Sequence, residues 1–186
     1  MSAKKERFIP TKFLWVDLEM TGLIADHDVI LEVAAEITNT DLETLESYEA
    51  CVKHDKELIV ARMDENAWWR DFPENRDHFL NSLEQGKELA IVEQELIVII
   101  ERHFGAEPAI LAGNSIHSDR AFIKRWMPEL EKRLHYRMLD VTSWKTVMET
   151  KYGLRYEKPE THRAYEDIRA SIGELQYYLE WFKTSS

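Results

Sequence analysis

Residues Phe13–Leu23, which read FLWVDLEMTGL, carry the clearest fold signal of the chain. It begins as an uninterrupted apolar run and ends at a glycine turn, a pattern typical of a short strand buried on both faces. Because successive side chains of a strand point to opposite faces, Asp17 and Glu19 should share one face, with their Cα atoms about 6.5–7 Å apart. The stretch therefore predicts a central strand that carries two neighbouring carboxylates.

Two ionised carboxylates at the end of a buried strand repel each other and lose their hydration. A divalent cation would relieve both costs, and ligand sets made only of oxygen atoms favour Mg²⁺ or Mn²⁺. Asp17 and Glu19 are therefore candidate metal ligands. The alternative is a solvated strand end that carries two ordinary acids.

Length and composition favour one globular domain, since the chain has 186 residues and 44% of them are hydrophobic. We expect a single domain over residues 1–186, with residues 1–10 as a flexible N-terminal segment. The single cysteine, Cys51, excludes an internal disulfide framework and suits a reducing, cytoplasmic location. The sequence contains no apolar run of signal-peptide or membrane-span length, so we expect no membrane role.

The net charge of −11 argues against electrostatic wrapping of a long nucleic acid. It leaves room for a short nucleotide ligand, because bound metal ions would reverse the sign of the charge locally.

The rest of the chain predicts an α/β fold. Further strands are expected at residues 29–38, 45–53, 109–112 and 136–141, the first two forming an antiparallel meander with the central strand. Ala34 and Ala35 leave a helix possible at the first of these. Helices are expected at residues 75–83, 88–104, 115–126, 142–152 and from Thr161 onward.

Two acids interrupt the apolar stripes of predicted helices. Asp119 lies on the core-facing stripe of a helix for which Ser115 is a plausible N-cap, although a contact with the helix dipole would also explain it. Asp167 lies beside the stripe of the last helix. His162, five residues earlier, cannot share its face and is expected at the mobile start of that helix. Taken alone, such a histidine and aspartate are more often surface residues.

A tryptophan pair stands out in the polar segment at residues 57–85. Aromatic residues in such a segment are often core pieces of a loop, and they also stack on nucleic-acid bases. We favour the core for Trp69 and leave both roles open for Trp68.

These residues together resemble one family, the oligoribonucleases, which are exonucleases with an Asp-Glu-Asp-Asp quartet and a histidine. The resemblance runs over nearly the whole chain in the same order. It rests on Asp17–Leu23, Gly113–Ser115 with Asp119, Tyr136–Arg137 with Leu139–Val141, and Thr161–Ala164 with Asp167–Ile168. It implies a ribonuclease-H-like fold with a mixed five-stranded sheet flanked by helices, a homodimer, and 3′–5′ release of mononucleotides from very short oligonucleotides, chiefly dinucleotides.

The resemblance also implies roles for the acids and the histidine. Asp17, Glu19, Asp119 and Asp167 would bind two divalent ions, Mg²⁺ or Mn²⁺, about 3.5–4 Å apart at the scissile phosphate. His162 would take the proton of the attacking water, a role that suits an imidazole whose unperturbed pKa is about 6.5.

The walls of the site would select the substrate. By resemblance, Leu23 wedges between the two bases, and Trp68 or Trp69 offers a stacking surface. Ser115 and Thr142 lie where the family holds the 5′ phosphate. Tyr136, which we also count among the catalytic residues, and Arg137 would come from the second protomer and close the cleft, so that longer strands are excluded sterically.

The chain departs from the family pattern at residues 62–85, and His78 has no certain counterpart there. This segment would neighbour the sugar and the bases, so a preference for short DNA is the nearest alternative to RNA. A nucleotide-binding regulator without catalysis is an alternative from another class. A proofreading exonuclease on long DNA is a third, against which the acidic net charge counts.

Overall fold

The computed structural model of the protein describes residues 8–157 and 163–184. The strands of this part are β1 (Lys12–Met20), β2 (Ile30–Asn39), β3 (Thr44–Cys51), β4 (Ala109–Gly113) and β5 (Leu134–Asp140). Its helices are α1 (Lys56–Glu65), α2 (Trp68–Asp71), α3 (Pro73–Ser82), α4 (Leu89–Phe104), α5 (His117–Trp126), α6 (Pro128–Glu131), α7 (Val141–Tyr152) and α8 (Ala164–Thr184). A short 3-10 turn follows α3 at Leu83–Gln85.

The strands form one mixed sheet in the order β3-β2-β1-β4-β5. β1 pairs antiparallel with β2, and β2 pairs antiparallel with β3. β1 pairs in parallel with β4, which pairs in parallel with β5. The expected five-stranded α/β fold and the meander are therefore confirmed, and the helical alternative at Ala34 and Ala35 is wrong.

β1 is central and buried from both sides, as its apolar run predicts. Leu14, Val16 and Leu18 belong to a core that includes residues of α4 and α5. Trp15 belongs to a second core, with residues of α8, on the opposite face. Because both faces of β1 are covered, the two acids near its end, Asp17 and Glu19, are half-buried.

Two sequence-based assignments at helix starts are wrong. Ser115 does not cap α5, which begins at His117 without a side-chain cap, because Ser115 itself has a left-handed backbone with φ of 49°. Val141 is the first residue of α7 and not the end of a strand, since the Asp140 side chain caps that helix by accepting the Thr142 N–H. The expected start of the last helix, Thr161, lies outside the described residues.

Residues 56–85 form a small helical layer with its own core. Trp69 is only 1% exposed there and packs with Phe79 and Met63, so its assignment to the core is confirmed. At the N-terminal end of the described chain, Phe8 stacks on His135 with ring centroids 4.8 Å apart. In residues 8–157 and 163–184, we find no helix long and apolar enough to cross a membrane.

Candidate active site

Three carboxylates from two distant parts of the chain meet at the end of β1. Asp17 and Glu19 come from β1, and Asp167 comes from the first turn of α8; their oxygen atoms lie within 4.8 Å of one another. The period-2 alternation of the strand accounts for the first two. The Asp167 backbone N–H donates to the Arg163 carbonyl at 2.9 Å, a bond that places Asp167 in the first turn of α8.

Asp119 approaches the same strand from α5. Its Oδ1 accepts the backbone N–H of Leu18 at 3.0 Å, and the residue is only 7% exposed. Burial raises the pKa of Asp119 to about 7, although the hydrogen bond from Leu18 opposes that rise. Asp119 is outside the group of three carboxylates found among the described residues. Its negative charge nevertheless contributes to the raised pKa of Glu19.

Glu19 has a strongly perturbed environment. Burial raises the pKa of Glu19 to about 8, and the neighbouring charges of Asp167, Glu32 and Asp119 add to the rise, while Arg163 opposes it. A carboxylate in this position is stabilised by a proton or by a cation. Close, half-buried carboxylate oxygens are the donor set of a hard divalent ion, so the residues fit Mg²⁺ or Mn²⁺.

A cavity of about 330 Å³ adjoins the acids. It is lined by Glu19, Met20, Gly22, Leu23, Asn66, Trp68 and Trp69. Leu23 is 83% exposed at its mouth. Trp68 is half-buried, whereas Trp69 is buried and donates its Nε1–H to the Thr21 carbonyl at 2.8 Å. Trp68 is thus the tryptophan with a partly accessible ring.

The loop that carries Leu23 is held by a buried acid that sequence reasoning did not single out. Asp28 accepts hydrogen bonds from the Thr21 hydroxyl and from the Ile24 N–H, each at 2.9 Å. Its carboxylate fills the space beside Gly22, where a Cβ atom would come within 2.6 Å of Oδ2. In the sequence Asp28 shows only as part of a polar turn.

Asn66 is a second residue that the sequence did not indicate. Its Nδ2 donates to the Thr21 carbonyl at 3.2 Å, and its Oδ1 accepts the Trp68 N–H at 3.1 Å. Asn66 therefore joins the two walls of the cavity. No sequence pattern marks such a contact, because it links residues 45 positions apart.

The structure brings Ser115 and Thr142 together, away from the tryptophans. The Ser115 N–H donates to Thr142 Oγ1 at 2.8 Å, and that hydroxyl donates to Asn114 Oδ1 at 3.2 Å. Both residues line a polar cavity of about 390 Å³ together with Lys145 and Glu149.

Tyr136 and Arg137 stand apart from these cavities. They lie on the edge strand β5, and Tyr136 is 72% exposed, with the Arg137 guanidinium 5.2 Å from the centre of its ring. Neither residue is among the described residues that line the cavities with Leu23 or Ser115. His78 is exposed on α3, and His162 lies outside the described residues.

Known proteins resemble this chain in both sequence and fold. A family model described as Exonuclease matches residues 14–175. The oligoribonuclease of Corynebacterium glutamicum (strain R) is 43% identical over 180 residues, which is 92% of this chain and 80% of that protein. The oligoribonuclease of Pseudomonas aeruginosa (strain UCBPP-PA14) is 37% identical over 181 residues, 93% of this chain and 97% of that protein.

Solved structures show the same fold at low identity. Exonuclease I from Methylocaldum szegediense superposes with a TM-score of 0.62 at 14% identity, over 88% of this chain and 39% of that chain. The zinc-bound E. coli ExoI–ssDNA complex has a TM-score of 0.63 at 11% identity, over 94% of this chain and 43% of that chain. This chain thus spans about two fifths of those solved chains. The likeness shows that the expected ribonuclease-H-like exonuclease fold is present.

The family model covers most of the chain, and relatives above 30% identity match nearly its whole length. This protein therefore belongs to the exonuclease family and, within it, to the oligoribonucleases.

Proposed function

We propose that this protein is a metal-dependent 3′–5′ exoribonuclease that hydrolyses very short oligonucleotides, chiefly dinucleotides, to mononucleotides. The observation that carries the proposal is the position of the Asp17, Glu19 and Asp167 carboxylates beside the cavity of Leu23 and Trp68. A cavity of about 330 Å³ is at the lower end of ligand-site volumes and suits one or two nucleotides better than a long strand.

Asp17, Glu19, Asp119 and Asp167 would hold two divalent ions, Mg²⁺ or Mn²⁺. When bound, the ions supply an activated water and charge stabilisation of the leaving oxygen. The raised pKa of Glu19 supports this assignment, because its burial and acidic neighbours disfavour an uncompensated negative charge. The hydrogen bond from Leu18 to Asp119 would orient that carboxylate toward the others.

The remaining residues would bind and orient the substrate. Leu23 is an exposed apolar side chain suited to insertion between two bases, and Trp68 offers a partly accessible ring for stacking. Ser115 and Thr142 would hold the 5′ phosphate. His162 would accept the proton of the attacking water.

A second protomer would complete the site. Tyr136 and Arg137 lie on an edge strand, well exposed and apart from the cavities, which suits a cap that each protomer lends to its partner. We accordingly infer a homodimer. We also infer that residues 1–186 act as one exonuclease domain in the cytoplasm.

Turnover of 5′-phosphorylated dinucleotides, measured against a length series in ribose and deoxyribose forms with Mn²⁺ and with chelator, tests the proposal. We expect metal-dependent cleavage that is strongest on the ribodinucleotide. Stronger cleavage of the deoxy form would show that short DNA, and not RNA, is the preferred substrate. Processive digestion of a long strand would indicate a proofreading type of enzyme, and binding without turnover would indicate a regulator.

The histidine and the cap need separate variants. H162A should retain metal and substrate binding while turnover collapses, and near-normal turnover would contradict the role of His162 as base. A monomeric protein with full dinucleotide activity would contradict the shared cap of Tyr136 and Arg137.

A further inference from the structure

Glu32 is a fully buried acid that none of the proposed roles uses. It lies on β2 directly opposite Glu19 in the pairing of β1 with β2, and its exposed fraction is 0%. A carboxylate with no access to water needs a partner. That partner comes from another part of the fold.

Arg163 provides the partner and links Glu32 to α8. One of its terminal nitrogens, Nη2, lies 3.1 Å from Glu32 Oε1 and 3.5 Å from Glu49 Oε1. Arg163 immediately precedes α8, and its carbonyl accepts the N–H of Asp167. A single residue therefore connects the strand opposite Glu19 with the helical turn that carries Asp167.

The pair is imperfect as a stabilising contact. Glu32 Oε2 and Arg163 Nε are both buried without a hydrogen-bond partner among the described residues. Buried ion pairs are weak contributors to stability, and fixing the register of two elements is their best-supported use. Because this pair lies beside Glu19 and Asp167, fixing β2 relative to α8 would also fix the positions of these two acids.

We infer that Glu32 is a positioning residue of the active site: its carboxylate holds Arg163, and with it the start of α8, so that Asp167 stays within reach of Asp17 and Glu19. The inference rests on the proposed metal-dependent function. Residues behind the ligands of a metal typically change metal affinity or activity 10- to 100-fold when they are replaced.

The chain contains a matched control pair. Glu36 is also on β2, is also 0% exposed, and lies 2.7 Å from Nη1 of Arg169 on α8. Like Glu32, it has a buried Oε2 without a hydrogen-bond partner among the described residues. However, Glu36 lies opposite Trp15, and Arg169 lies inside the helix and not at its start.

The experiment measures Mn²⁺ affinity by calorimetry without substrate, together with kcat and KM on a ribodinucleotide. We expect E32Q to lose affinity for Mn²⁺ about tenfold or more, with a fall in kcat and little change in KM. We expect E36Q to stay within about twofold of the wild type in Mn²⁺ affinity, a difference that a merely structural role for both glutamates would not produce. Equal effects of E32Q and E36Q would overturn the inference.

The variant Arg163→Gln distinguishes the positioning role from a purely electrostatic effect of the Arg163 charge on Mn²⁺ affinity. If only charge mattered, removal of a cation near the acids would tighten Mn²⁺ binding, whereas the positioning role predicts weaker binding. Tighter binding in R163Q would therefore overturn the inference. If E32Q does not fold, as judged by circular dichroism, the comparison of R163Q with R169Q decides the question, since each variant leaves one fully buried glutamate without its arginine and the two losses of stability should be similar.

Failure of the inference and failure of the proposed function give different results. A wild-type protein that neither binds Mn²⁺ nor cleaves the dinucleotide refutes both. A wild-type protein that does both, with R163Q and R169Q indistinguishable in Mn²⁺ affinity, refutes only the positioning role of Glu32.

Discussion

Asp119 Oδ1 accepts the backbone N–H of Leu18 at 3.0 Å, so the acid of α5 is bound to the residue between Asp17 and Glu19. This bond places a helix carboxylate beside two strand carboxylates. The position of Asp119 relative to β1 is therefore held by a hydrogen bond from the β1 backbone to its side chain as well as by packing of α5.

Replacement of Asp119 should separate its structural and chemical contributions. D119A leaves the buried Leu18 N–H without an acceptor, which should lower the free energy of unfolding by about 1–3 kcal/mol. D119N keeps an acceptor oxygen and should stay within about 1 kcal/mol of the wild type. Both variants should lose turnover by about 100-fold or more, since about 2.7 kcal/mol of lost transition-state stabilisation corresponds to that factor.

Urea unfolding and dinucleotide turnover of the two Asp119 variants provide the measurement. Full turnover in D119N would contradict its assignment as a metal ligand. Equal stability of D119A and D119N would contradict the importance of the bond to Leu18.

Metal should stabilise the folded protein. At a free Mn²⁺ concentration one hundred times Kd, binding adds about 2.7 kcal/mol, which raises Tm by roughly 5–10 °C for a chain of this size. D17N should lose most of that shift, yet it should be at least as stable as the wild type in chelator, because it removes one of three close carboxylates. Thermal unfolding with and without EDTA measures both effects. A wild-type Tm that does not change when Mn²⁺ is added would argue against a metal site.

The two tryptophans should respond differently to replacement. W68A should lower kcat/KM by roughly 5- to 150-fold, since stacking on a base contributes about 1–3 kcal/mol. W69A should lose about 3–5 kcal/mol of stability, because a buried ring and its hydrogen bond to Thr21 are removed. W68F keeps an aromatic face and serves as the control. An unchanged kcat/KM in W68A would remove Trp68 from the substrate site.

Gly22 should tolerate no side chain while Asp28 is present. The Cβ atom of G22A would lie 2.6 Å from Asp28 Oδ2, and Asp28 is held by Thr21 and Ile24. We expect a loss of about 1–3 kcal/mol in stability, and weaker dinucleotide binding because the loop that presents Leu23 shifts. A double-mutant cycle with D28A checks the cause, since G22A should cost much less in the D28A background. Additive effects would contradict this explanation.

The contact between β3 and the end of α4 should give a pH-dependent stability. Glu46 accepts hydrogen bonds from His103 and Arg102, and the bond from His103 is the main cause that holds the pKa of Glu46 below its ordinary value of 4.5. A carboxylate with a lowered folded-state pKa contributes stability above pH 4.5, and this contribution is lost as the pH falls through the lowered pKa. E46Q should therefore lower Tm at pH 7 by no more than about 4 °C, and the difference from the wild type should vanish in acid. Thermal scans from pH 7 downward measure it, and a difference that does not shrink as the pH falls below 4.5 would contradict the assignment.

Much of the fold could be predicted because its signals are local. The apolar run of β1 and the turn signals around β2 and β3 indicated the meander, and the helical stripes indicated α4, α5 and α8. The errors at Ser115 and Val141 have one origin, because sequence identifies a capping residue only by its type. The left-handed backbone at Ser115 and the capping of α7 by Asp140 depend on how neighbouring elements meet.

The central strand and the shared face of Asp17 and Glu19 could be predicted from the local pattern alone, because alternation along a strand is a property of the local backbone. The distant polar residues that complete and support the site could be identified only from the packing of the folded chain. Asp28 behind Gly22, Asn66 between the cavity walls and Glu32 against Arg163 owe their roles to burial and to partners far away in the chain. Burial of a polar group depends on what packs over it, and no local pattern encodes that.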